Sequence, residues 1–111
     1  MSKHYTLKKV NELAGGDVGF VKVLVQTFLE EIPLDMNSME FSVNAGDAAM
    51  AYQYAHKMKP SFQLFEIEVL NYIKIIESWS AEEIGQKEAE FALKNILEKS
   101  NAAIVEMKND F

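Results

Sequence analysis

The sequence predicts an all-helical fold: an up-down four-helix bundle with a short extra helix at the N-terminus. Three observations carry this expectation. Apolar residues recur at the three-to-four-residue spacing of amphipathic helices along most of the chain. Helix breakers are few and fall at plausible joints. The joints are short, and short joints between long amphipathic helices favour antiparallel neighbours.

Taken in order, Thr6 can cap a first helix over 7–14, which stops at Gly15-Gly16. Asp17 can cap a second helix running to about Glu31, with Val21, Leu24, Val25, Phe28 and Ile32 on one face. Proline suits the first turn of a helix and not its interior, so a break or kink is expected at Ile32-Pro33. Helix then resumes to about Ala45, and Ile32, Met36, Met39 and Val43 continue the stripe. Gly46-Asp47 forms the next joint, with Asp47 as cap. The following helix runs from Ala48 through His56, with Ala48, Ala51, Tyr52, Ala55, Met58 and Phe62 as its inward line. Pro60 cannot donate to the His56 carbonyl, so this helix is expected to kink there or end soon after. Another helix spans roughly 65–78, with Val69, Leu70, Ile73 and Ile76 inward. Ser80-Ala81-Glu82-Glu83 reads as a capping box for the last helix. That helix carries Ala89, Ala92, Leu93, Ile96, Ala103, Ile104 and Met107 on one side.

The 111 residues suit one domain, 1–111, with one modest core. No cysteine is present, which removes disulfides, thiolate zinc sites and a cysteine nucleophile together. The first residues have no apolar signal-peptide core, and no apolar run approaches the roughly 20 residues needed to span a bilayer. A cytoplasmic, monomeric protein is the expectation. The net charge of −6 argues against nucleic acid and anionic membranes as partners. Against this acidic background Lys57 and Lys59 lie beside His56, with no acid between Asp47 and Glu66.

The two histidines differ in setting. His4 lies near the N-terminus and reads as floppy and incidental. His56 lies mid-helix, beside the inward line rather than on it. A solvent-facing imidazole is mostly neutral at pH 7, and its lone pair is a nucleophile. Lys59, three residues on, shares its helix face and can offset the charge of an added phosphoryl group. Lys57 is rotated by about 100° around the helix.

The segment Ala55-His56-Lys57-Met58-Lys59-Pro60-Ser61 resembles the Ala-His-x-Leu-Lys-Gly-Ser signature of histidine-containing phosphotransfer (HPt) domains. The likeness extends along the chain through Gly15-Gly16-Asp17, the stretch from Phe28 to Pro33, Gly46-Asp47 and Ile76-Glu77. It implies a four-helix bundle whose exposed histidine relays phosphoryl groups between receiver-domain aspartates. On this resemblance His56 is the phosphoacceptor and Lys59 the cation that supports the phosphoryl group. The implied partners are response-regulator receiver domains and a hybrid sensor kinase. The receiver supplies the aspartate and Mg²⁺, and the chain is a phosphocarrier with no kinase activity of its own. Two positions depart from the pattern. Pro60 replaces the usual glycine four residues after the histidine. Glu66 replaces a frequent glycine ten residues after it, adding bulk and negative charge near the expected docking area.

Other chemistries find no support. Gly15-Gly16 lacks the remainder of a phosphate loop. No His/Asp/Glu cluster has metal-ligand spacing, and neither a metal nor a cofactor is expected. Glu30-Glu31 and Glu82-Glu83 read as solvated helix ends, and Trp79 as a filler of the core or a joint. Phe41 and Phe91 fall off the stripes, suited either to packing on the first helix or to an exposed docking patch. The alternative function is a helical docking module that binds a receiver or kinase without being phosphorylated.

Overall fold

The computed structural model describes residues 3–111, and among them every regular element is an α-helix. The helices are α1 (Lys8–Ala14), α2 (Val18–Asn44), α3 (Ala48–Leu64), α4 (Leu70–Ser80) and α5 (Gln86–Asp110). α3 packs on α2 and α4, while α5 packs on α4 and α2; α1 rests against α2. The molecule measures 43 × 24 × 20 Å, and the 27 residues of α2 account for its long dimension at about 1.5 Å per residue.

Each expected stripe turns inward. Val21, Val25, Phe28, Ile32, Met36, Met39 and Val43 are buried on α2, and Ala51, Ala55, Met58 and Phe62 on α3. α4 contributes Ile73, Ile76 and Trp79, and α5 the whole series from Ala89 to Met107 that its spacing marks out. Fully buried Ala51, Ala55, Ala89, Ala92 and Ala103 keep these surfaces smooth enough for close helix approach. Phe28 fills the lower core against Phe65 at 4.8 Å and Phe62 at 6.4 Å between ring centroids. Tyr52 is a correction: it stands 38% exposed rather than on the buried line.

The prolines do not break the helices. α2 runs unbroken through Pro33, and α3 through Pro60 to Leu64. A helix-interior proline costs about 3 kcal/mol through its missing donor and ring clash. Burial of Phe28, Ile32, Met36 and Met39 around Pro33, and of Met58 and Phe62 around Pro60, offsets it. One buried side chain of that size contributes about 1.5–3 kcal/mol.

Two of the expected caps form and two do not. The Asp17 side chain accepts from the Phe20 amide, and the Asp47 side chain from the Met50 amide. Thr6 does not cap α1; Leu7 holds that position without a side-chain bond, and the Thr6 amide instead donates to the Phe65 carbonyl. The Ser80 capping box is absent as well. α4 extends through Ser80, and Gly85 precedes α5 without a side-chain cap.

The reason lies in how α2, α3 and α4 end. Each closes with the same pair of backbone bonds: Asp47 to Ser42 and Gly46 to Val43, Ile67 to Phe62 and Glu66 to Gln63, Glu83 to Ser78 and Glu82 to Trp79. This is the Schellman closure, and its first residue past the helix adopts a left-handed backbone. Gly46 does so freely at φ 75°, whereas Glu66 and Glu82 are forced to it at 52° and 63°. Glu82 therefore finishes α4 and cannot help to open α5. Left-handed backbone costs a residue with a side chain about 1–2 kcal/mol, and glycine's extra unfolded freedom returns about 0.5–1 of that. Glu66→Gly is therefore expected to stabilise the fold by about 0.5–1 kcal/mol, read as a higher midpoint of urea unfolding. A lower midpoint would contradict the assignment of strain to Glu66.

The N-terminal segment is tied down rather than floppy. Lys3 pairs with Asp110, the His4 amide and ring with the Glu106 carboxylate, and the buried Tyr5 hydroxyl donates to Asp110. Bonds from the His4 amide and ring hold Glu106 below the ordinary carboxylate range, and bonds from Lys3 and Tyr5 do the same for Asp110. A depressed carboxylate contributes stability above its unfolded value and loses it as pH falls through the folded one. Burial, with help from Asp110, raises the Tyr5 hydroxyl, whose contribution is present below the unfolded tyrosine value and lost above it. Protection of the His4 and Thr6 amides from exchange is thus expected to hold near neutrality and to fall below about pH 4, or above about pH 10. Flat protection factors across that range would count against these ties of the N-terminal segment to α5.

Candidate functional site

His56 lies in the middle of α3, about 130° around the helix from the buried line at 100° per residue. That turn brings it to the surface, where 65% of its side chain is exposed. Ala55 and Met58 beside it are fully buried, so the backbone beneath the imidazole is fixed while the ring faces outward.

The ring meets two neighbours. Tyr52, one turn earlier, lies parallel to it within 6° at 5.7 Å between centroids. From α4, Glu77 Oε2 stands 3.4 Å from His56 Nδ1. The other oxygen of the same carboxylate accepts from Lys59 Nζ at 3.3 Å. Glu77 is only 16% exposed and Lys59 28%, so their pairing is partly shielded from water. His56 and Lys59 thus share one carboxylate, a link across the α3–α4 boundary. Glu77 is the neighbour of His56 that the sequence hides: it appears there only within an Ile-Glu pair at the end of an apolar stripe.

An ionised carboxylate only accepts hydrogen bonds. An imidazole that faces one through Nδ1 holds its proton there and keeps its lone pair on Nε2. With Nδ1 turned to Glu77, the other ring nitrogen, Nε2, is left outside that contact, and the Lys59 ammonium group stands one turn away.

Lys57 goes elsewhere. Its Nζ donates at 3.0 Å to Asp35 Oδ1 on α2, and that bond, then the Asp35 charge, holds it above the ordinary lysine range. Asp35 is 8% exposed, so Lys57 serves as its counter-ion. The two lysines that follow His56 in sequence are thus divided between opposite neighbouring helices.

The departures have definite places. Pro60 lies within α3, on the His56 side. Glu66 lies at the α3–α4 joint, beyond the end of a helix that carries the chain about 12 Å from His56 to Leu64. It lines a polar cleft of about 820 Å³ with Lys9, Gln63, Glu68, Asn71 and Lys99, which does not include His56. The added negative charge of Glu66 thus lies at the end of α3 and away from the His56 ring. His56 sits on a convex helix face, unlike the concave pocket that encloses a small ligand.

Phe41 is 76% exposed beside an apolar groove of about 400 Å³ with Met50 and Tyr54. Phe91 is 60% exposed and meets Tyr72 edge-on. Among the described residues no group of three His, Cys, Asp or Glu side chains could hold a metal ion, and no helix is long and apolar enough to cross a membrane. Comparison of the chain with protein-family models, curated proteins and solved structures returned no match.

Proposed function

We propose that the chain is a histidine phosphotransfer protein, in which α2–α5 form an up-down four-helix bundle and α1 is the short extra helix. The bundle reading is supported by the cyclic order of helix contacts. It is also supported by the Gln86 side chain donating to the Val43 carbonyl, which joins the start of α5 to the end of α2. The functional reading rests on one observation: an exposed histidine whose Nδ1 faces a carboxylate that also engages Lys59.

The step is a phosphoryl transfer. The Nε2 lone pair of His56 forms the N–P bond while the P–O bond to a receiver aspartate breaks, and that electron pair returns to the aspartate carboxylate. The imidazole, still protonated at Nδ1, becomes positively charged, and this charge faces Glu77. Lys59 turns from Glu77 to a phosphoryl oxygen as negative charge arrives. Return to a second receiver reverses each bond change. The receiver brings its own aspartate and Mg²⁺, so the carrier needs no kinase activity. Its partners are response-regulator receiver domains and a hybrid sensor kinase.

The test is incubation with a receiver domain phosphorylated on its aspartate. The label is expected to move to the chain as acid-labile, base-stable phosphohistidine and to map to His56. Receiver binding without any transfer would overturn the carrier reading and leave a docking module.

A further inference from the structure

A side chain as exposed as His56 turns freely unless its surroundings hold it. Glu77 holds one edge of the ring, and at 3.4 Å that contact is long for a hydrogen bond. An edge contact alone lets the ring swing about the line joining the two atoms. A contact on the face removes that freedom, and Tyr52 makes one. The separation of 5.7 Å with a tilt of 6° is an offset parallel stack, within the range of favourable aromatic pairs. Both residues sit on α3 one turn apart, so the helix sets the register of the stack.

We propose that Tyr52 is a positioning residue for the phosphoacceptor: its ring stacks, offset and parallel, beside the His56 imidazole and, together with Glu77 at Nδ1, keeps Nε2 directed at the incoming phosphoryl group. This rests on the reading of His56 as a phosphoacceptor. The stack also responds to the reaction. An imidazole that gains phosphorus at Nε2 while keeping its Nδ1 proton becomes cationic, and a cationic ring is drawn to the π-face of tyrosine. The contact therefore strengthens as the N–P bond forms, the condition under which binding energy accelerates a step. The ring face does this work, so the phenolic hydroxyl is dispensable.

The full-length chain is phosphorylated with phosphoramidate, a small donor that needs no partner, and phosphate on His56 and His4 is followed separately by NMR. Wild type and Tyr52→Phe are expected to agree within about twofold in the His56 rate. Both are expected to keep the ring-current displacement of the His56 carbon-bound protons. Tyr52→Leu is expected to lose that displacement and to phosphorylate His56 about two- to tenfold more slowly, with His4 unchanged. Thermal unfolding of each variant establishes that the bundle persists. A Leu variant as fast as wild type overturns the proposal, as does a Phe variant as slow as Leu. A wild-type His56 that takes phosphorus from neither phosphoramidate nor a phosphorylated receiver overturns the phosphoacceptor reading itself. That failure is distinct from a phosphorylated His56 indifferent to residue 52.

Discussion

Replacing His56 by glutamine is expected to abolish phosphoryl acceptance and leave the fold standing. Glutamine keeps a polar side chain of similar reach but offers an amide nitrogen with no nucleophilic lone pair. Ala55 and Met58 hold the local helix through buried contacts that the substitution does not touch. With 65% of its side chain in solvent, His56 adds little packing, so stability is expected to move by less than about 0.5 kcal/mol. Transfer from a phosphorylated receiver and urea unfolding, measured on the same sample, test both halves. Undiminished phosphorylation of the variant at another residue would refute the assignment.

The second large effect is expected at Lys59. A charge-assisted contact to the phosphoryl group is worth roughly 1.5–3 kcal/mol, or about one to two decades in rate if made only in the transition state. Lys59→Ala is therefore expected to slow transfer by about 10- to 100-fold. Lys57→Ala is expected to act differently. It strips a counter-ion from the buried Asp35, so its main cost falls on the α2–α3 contact and on stability. Its remaining effect on transfer is long-range attraction, which shrinks as salt rises. Transfer kinetics of both variants at low and high ionic strength separate these roles. Greater damage from Lys57→Ala at both salt levels would show that the geometry around His56 is misassigned.

Periodicity made much of the fold legible. The stripes from Val21 to Val43 and from Ala89 to Met107 repeat with the helix, and the structure buries them. The Gly46-Asp47 joint was equally readable, because glycine marks a left-handed turn and aspartate a cap. The same turn at Glu66 and Glu82 carries no such sign, since glutamate is an ordinary helix residue. This is why the capping box at Ser80 misleads. Pro33 misleads for a different reason: local propensity counts the lost backbone bond but not the core packing that offsets it, whereas α3 does end soon after Pro60, at Leu64. At the candidate site, His56 and Lys59 stand one turn apart on one helix, so that they share a face is readable from their spacing. Glu77 and Asp35 reach α3 from other helices, and their partnerships depend on tertiary packing. Tyr52 lies about 100° around the helix from Ala51, which takes it off the buried line and onto the side of α3 that His56 occupies.

The carboxylate shared by His56 and Lys59 also bears on how tightly cargo is held. The Lys59 ammonium and the Glu77 carboxylate cancel one another, on a chain that carries −6 overall. A site with two or three unopposed cations would clamp a phosphoryl group and resist handing it on. Here the incoming dianion must compete with Glu77 for Lys59 and enters a molecule whose field already repels it. On the proposed carrier reading the site has to be a poor store, and this balance of charge favours departure over retention.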